Sequence, residues 1–180
     1  IATQGRQVVW DQGNYRAPFS LKGAGGGAGG GKSGWDPSKI IELPNAYAFG
    51  AANGLPLPAG LIAHRPANNS PDAVKVGSFK FELNTPRGEK VPSILVVISV
   101  EEQRTAEIVW AGKNQQGFGW YFRTAALSGK RLELVVRDGA PRTMFEWSDA
   151  NSGSYTALAE GAVGNRGSAS FSSRFTRLDG

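Results

Sequence analysis

The chain has 180 residues, a formal net charge of +5, one histidine and no cysteine. That length supports one domain with a substantial core and is short for two. Without cysteine there is neither a disulfide framework nor a thiolate metal site, and zinc would have to be held by one histidine and carboxylates alone. No cofactor or metal is expected.

The charge lies at the ends. Residues 1–33 carry Arg6, Arg16, Lys22 and Lys32 against Asp11, and residues 165–180 carry Arg166, Arg174 and Arg177 against Asp179, while the body between them balances. A dedicated nucleic-acid reader shows a dense basic stripe on a folded element, and none is visible here, which leaves weak attraction to a polyanion or simply a solvated tail. No apolar segment reaches spanning length, and the N-terminus lacks the basic-then-apolar layout of a signal peptide, so a soluble chain with no membrane partner is expected. A start at Ile1 suggests a processed product or a fragment.

In chain order, a short strand is expected around Gln7 to Trp10, followed by an extended piece at Pro18 and the glycine-rich tract Gly23 to Gly34. Glycine has the largest backbone entropy to lose and no side chain to pack, so residues 1–34 read as an arm with a flexible segment, and residues 35–180 as the folded domain. Gly26 to Ser33 formally satisfies the phosphate-loop pattern, but no apolar strand feeds it and Asp36-Pro37 follows where a helix should start, so nucleotide binding is not expected. Ser38 to Leu43 reads as a short strand, and the long proline-rich stretch from Pro44 to Asp72 as mostly loop.

The stretch Val74 to Val100 gives the clearest pattern. Phe79, Phe81 and Leu83 alternate with Lys80, Glu82 and Asn84, the period of a strand with one wet face. After the turn signal Asn84 to Gly88, the run Ile94-Leu95-Val96-Val97-Ile98 suits a strand covered on both faces. Further strands are expected at Ala106 to Ala111, Phe118 to Arg123, Leu132 to Arg137, Thr143 to Trp147, Tyr155 to Glu160 and Ala169 to Leu178, divided by Gly, Asn, Asp and Pro turns. No segment carries a helical stripe. The expected fold is all-β, a single antiparallel jelly-roll sandwich of about eight to ten strands.

Signals for chemistry are sparse. His64 sits between Ala63 and Arg65 with no nucleophile-bearing motif nearby, and reads as a surface loop histidine. Glu101 and Glu102 are adjacent on a strand and face opposite ways, so they do not form a catalytic pair; Glu133 and Glu146 read as solvated edge charges. Trp110, Phe118, Trp120, Tyr121 and Trp147 would serve either as a sugar-stacking platform or as core filling. No catalytic, cofactor-binding or metal-binding residue is expected, and the protein is not expected to be an enzyme.

Several segments together resemble one family. Gln7-Val8-Val9-Trp10-Asp11-Gln12 with Arg16-Ala17-Pro18 is similar to the opening of the small coat proteins of comovirus-type plant viruses. Gly77 to Asn84 with Arg87-Gly88, then Leu132 to Val136, Asp138-Gly139, Phe145-Glu146-Trp147, Tyr155, Asn165-Arg166 and Phe171 to Phe175 resemble later strands of those subunits in the same order. The absence of cysteine and the long glycine run fit a fabavirus or another picorna-like relative better. The resemblance implies a jelly roll that assembles with a large two-domain coat protein and with copies of itself into an icosahedral capsid around positive-strand RNA. It also implies weak contact with genomic RNA, and location in a virion assembled in the host cytoplasm. The alternative is a secreted, non-catalytic carbohydrate-binding module.

Overall fold

The computed structural model describes residues 36–66, 70–84, 88–101, 104–114, 117–134, 142–158 and 170–180. The strand expected at Gln7 to Trp10, the glycine tract and its phosphate-loop pattern, and the turns at Asp138-Gly139 and Gly164 to Gly167 lie outside them. Two short strands, β1 (Ile40–Glu42) and β2 (Ile62–His64), pair antiparallel in a small separate sheet. Eight more follow: β3 (Gly77–Asn84), β4 (Lys90–Glu101), β5 (Thr105–Asn114), β6 (Gly117–Ser128), β7 (Arg131–Leu134), β8 (Arg142–Trp147), β9 (Ser152–Leu158) and β10 (Ser170–Asp179).

Each of these eight pairs antiparallel with the next, and β10 pairs with β3, so the sheet closes into a barrel. The all-β class therefore holds. The jelly roll does not describe this strand order: a jelly roll seats strands from different hairpins side by side, whereas here every strand lies between its two neighbours in sequence, apart from the closing pair. Links such as those at 128–131 and 147–152 return each strand beside its predecessor. Period-two alternation and turn spacing are the same in both architectures, so they fix strands without fixing partners.

The alternation of β3 is realised as expected. Phe79 and Phe81 are buried, Lys80 and Glu82 exposed. Cross-strand partners share a face, so Leu95 opposite Phe79, Trp110 opposite Leu95 and Tyr121 opposite Trp110 all point into the barrel. Phe79, Phe81, Trp110, Phe145, Trp147, Tyr155 and Phe175 meet there, most of them edge to face, with ring centroids 4.8–5.7 Å apart. An eight-stranded barrel is just wide enough for side chains to fill, and these rings fill its middle and one end.

The run Ile94 to Ile98 is covered on both faces, as its composition implies. Leu95 and Val97 face inward. Ile94 and Val96, with Val109 and Ala111 opposite them on β5, face outward and are fully buried there. Their cover includes β2 and a helix, α1 (Pro44–Asn53), both packed against β4. The expectation that Pro44 to Asp72 is mostly loop is corrected by this helix, by β2 and by the 3₁₀ turn Pro71–Lys75. Pro44 at the first position presets the helical φ, and Gly54 in the left-handed region (φ 69°) ends the helix. Its N-terminal amides are capped from the far end of the chain. The Asp179 carboxylate accepts from Asn45 N–H (3.0 Å) and Ala46 N–H (2.8 Å), and from the Ser78 hydroxyl (2.7 Å).

A β-bulge makes this cap available. The β10–β3 register shifts between Arg177 and Asp179, so Arg177 shares the inward face with Phe79 while Asp179, two residues on, shares the outward face with Ser78. The Arg177 guanidinium lies over the Phe79 ring at 4.6 Å. It donates to the carbonyls of Val76 (2.9 Å), Ala150 (2.6 and 2.9 Å) and Val74. One side chain thus ties the last strand, the 3₁₀ turn and the β8–β9 link together and closes this end of the barrel.

Candidate functional site

Strands β3, β4 and β10 are adjacent, and their outward phases carry polar side chains beyond the edge of α1. Lys80, Glu82 and Asn84 come from β3, Lys90 and Pro92 from β4, and Ser172, Arg174 and Thr176 from β10. With Phe49 and Asn53 of α1 as one wall, they line a cleft of about 530 Å³ on the outside of the barrel. Lys80 stands over the Phe49 ring at 5.7 Å, which positions its ammonium at the helix edge. Arg174 is anchored by a 3.3 Å bond to the Ser152 hydroxyl. Lys90 approaches Glu82 at 3.9 Å with both side chains largely exposed, a loose pair that solvent screens. Three cations and one carboxylate therefore face the same cleft, alongside hydroxyl and amide donors. That set attracts and hydrogen-bonds anionic groups; it contains no nucleophile–base pair.

A second cleft, of about 430 Å³, lies at the closed end between the 3₁₀ turn and the β6–β7 and β8–β9 links. Asp72 and Lys75 on its wall form a buried ion pair, and Val74 is exposed beside them. Trp147 contributes to its floor, and the indole N–H has no acceptor among the described residues.

The residues weighed from sequence are dispersed. His64 lies in β2 and is half-buried: Asp36 N–H donates to its Nε2 at 3.0 Å, and desolvation holds its pKa below the ordinary imidazole value. Glu101 is exposed at the end of β4, and Glu102 lies outside the described residues. Glu146 is held on the surface by Arg131 at 2.9 Å. Glu133 points away from the interior, opposite Met144. The aromatic set divides between the two faces of the wall. Trp110 and Trp147 are 5% and 3% exposed, and Tyr121 faces inward on β6; Phe118 and Trp120 sit on the outer phase. A platform that included Trp110, Tyr121 or Trp147 is therefore not assembled, because each points into the barrel.

The basic cleft went unread in the sequence because its cations lie up to 94 residues apart and become neighbours only when β10 closes on β3. The one local signal was the outward phase of Lys80 and Glu82. Fold and cleft together define the class: an eight-stranded up-and-down barrel with an aromatic core and a basic outer groove. Compared with protein-family models and with curated proteins, the chain matches none.

Proposed function

We propose that the protein is a non-catalytic binding module that takes an extended polyanion along the cleft between α1 and strands β10, β3 and β4. The observation that carries this reading is the convergence of Lys80, Lys90 and Arg174 on one groove whose lining holds a single carboxylate, Glu82. Anionic groups spaced along a chain meet these cations in turn, with Ser172, Thr176 and Asn84 as donors to their remaining oxygens. Release of condensed counterions drives such binding, so affinity falls with salt; three contacts to a single strand give a slope of about −2 in log K against log salt.

The test is fluorescence anisotropy with labelled oligouridylate and, separately, a labelled sulfated oligosaccharide, which distinguishes phosphodiester from sulfate as the favoured group. Lys80→Glu and Arg174→Glu are each expected to weaken binding by about tenfold without lowering the melting temperature. Equal affinity in both reversals would remove the cleft from consideration. The coat-subunit reading rests on the resemblance of separate segments between Gln7 and Phe175 and implies a jelly roll, which the next-neighbour strand order does not reproduce. A shell-sized assembly, or copurification with a larger chain, would restore it at the expense of the module.

A further inference from the structure

The cleft of about 430 Å³ at the closed end shares no lining residue with the outer groove, and all of its lining lies within the described residues. Three segments form its walls, and hydrogen bonds fix them to one another. Arg177 donates to the Val74 carbonyl of the 3₁₀ turn and, at 2.6 and 2.9 Å, to the Ala150 carbonyl of the β8–β9 link. Trp147 N–H donates to the Lys130 carbonyl at 2.9 Å, which joins the β6–β7 link to the floor. Walls tied in this way keep their spacing without a ligand, which is the condition for a preformed site.

The lining combines an apolar surface with donors that lack acceptors. Pro71, Val74 and Ala150 stand around the Trp147 floor, and Val74 is 42% exposed, one of two large hydrophobic side chains left so open among the described residues. The Trp147 indole N–H has no acceptor among the described residues, although the side chain is buried. The Lys75 ammonium, also buried, has three N–H donors, and among the described residues its only hydrogen bond goes to the Asp72 carboxylate. Buried donors are nearly always answered, so two such groups on one cleft call for an acceptor.

The charges of the lining are unequally committed. Asp72 is paired with Lys75, and Asp149 accepts from Asn151 N–H at 2.7 Å and from the Ser152 hydroxyl at 2.9 Å. Lys130 is exposed and forms no ion pair among the described residues, so the uncommitted charge at the cleft is positive.

We infer that the cleft at the closed end binds a small aromatic or aliphatic carboxylate, whose apolar body lies on Trp147 between Val74 and Ala150 and whose carboxylate faces Lys130 and the remaining donors of Lys75. The volume falls within the range of about 300–1,000 Å³ usual for small-molecule sites, and a mainly apolar lining with a few convergent polar groups is their usual composition. This site is independent of the outer groove. Its apolar walls supply affinity, and Lys130 sets the sign of charge that it favours.

The probes are 2-naphthoate and its neutral counterpart 2-naphthamide, titrated into the folded protein and followed by nuclear magnetic resonance at the assigned Trp147 indole N–H. A saturable one-to-one shift is expected with both, naphthoate binding about threefold more tightly. Lys130→Gln should weaken naphthoate by about threefold and leave naphthamide within about 1.5-fold, because an exposed cation acts only on the charged probe. Ala150→Trp fills the cleft from an exposed position on its link and should weaken both probes by about tenfold or more. Circular dichroism and melting establish that this variant folds, and Val74→Trp on the facing wall replaces it if it does not. Lys80→Glu, in the outer groove, should leave both probes unchanged. Absence of a saturable shift at Trp147, indifference to the filling variant, or loss of naphthoate on Lys80→Glu would each overturn the inference. So would an equal effect of Lys130→Gln on both probes.

Discussion

Arg177 and Asp179 stand two residues apart and act on opposite faces of the wall, because the bulge between them reverses the phase of the strand. Arg177→Ala removes bonds to the Val74, Val76 and Ala150 carbonyls and the stacking on Phe79, and is expected to destabilise the fold by about 3 kcal/mol, read as a shift in the denaturation midpoint at unchanged slope. Arg177→Lys should recover only part of this, since an ammonium cannot reproduce a planar fork. His64 gives a pH dependence of known sign. Burial lowers its folded pKa below its unfolded value of about 6.5, so the unfolded chain takes up a proton that the folded protein resists. Stability is full above that value and declines as pH falls from about 6.5 through the lowered folded pKa. Thermal melts at about pH 7.5 and about pH 5 should show a larger drop in the native protein than in His64→Gln, whose amide oxygen still accepts from Asp36. Equal drops would remove His64 as the source. The sequence shows the identity of these three residues and none of their work, since a bulge, a ring beneath a guanidinium and an amide 28 residues away are set by tertiary placement.

At the scale of elements, strands were legible and the helix was not. In β3 the alternation of Phe79, Phe81 and Leu83 with Lys80, Glu82 and Asn84 states which face is wet, and in β4 the unbroken run from Ile94 to Ile98 states that both faces are dry. What covers the second face could not be read. Residues Pro44–Asn53 carry no apolar stripe, and the carboxylate that caps them comes from Asp179, 133 residues beyond Ala46. The helix exists because it covers Ile94 and its neighbours, each buried aliphatic side chain being worth about 1.5–3 kcal/mol, rather than because its own sequence favours it. Gly50 is the point of close approach: a Cβ there would stand 3.6 Å from the Ile94 Cδ1 and 2.9 Å from the Leu55 carbonyl oxygen. Gly50→Val should therefore destabilise by about 1–3 kcal/mol and, by moving the wall that carries Phe49 and Asn53, also weaken polyanion binding. A variant that loses stability while keeping full affinity would show that the helix does not shape the cleft.

For the whole molecule, the eight barrel strands followed from alternation and turn spacing, but their closure into a next-neighbour barrel did not, because pairing partners are long-range information that period-two patterns lack. The same limit hid the groove. Lys80 and Lys90 are joined through the β3–β4 hairpin, yet Arg174 reaches them only through the closing pair Thr176 and Lys80. Two lysines of the charge-balanced body and Arg174 of the basic C-terminal stretch thus meet on one surface through the closing pair, and a basic surface of this kind attracts acidic groups. The most direct test is a backbone amide titration by nuclear magnetic resonance, adding oligouridylate or sulfated oligosaccharide at low salt. Shifts are expected to concentrate on Asn53, Lys80, Glu82, Lys90, Arg174 and Thr176 and to disappear as salt rises. Shifts confined to Phe118 and Trp120 on the outer phase of β6, or none with either polyanion, would contradict the assignment of the cleft as the working surface.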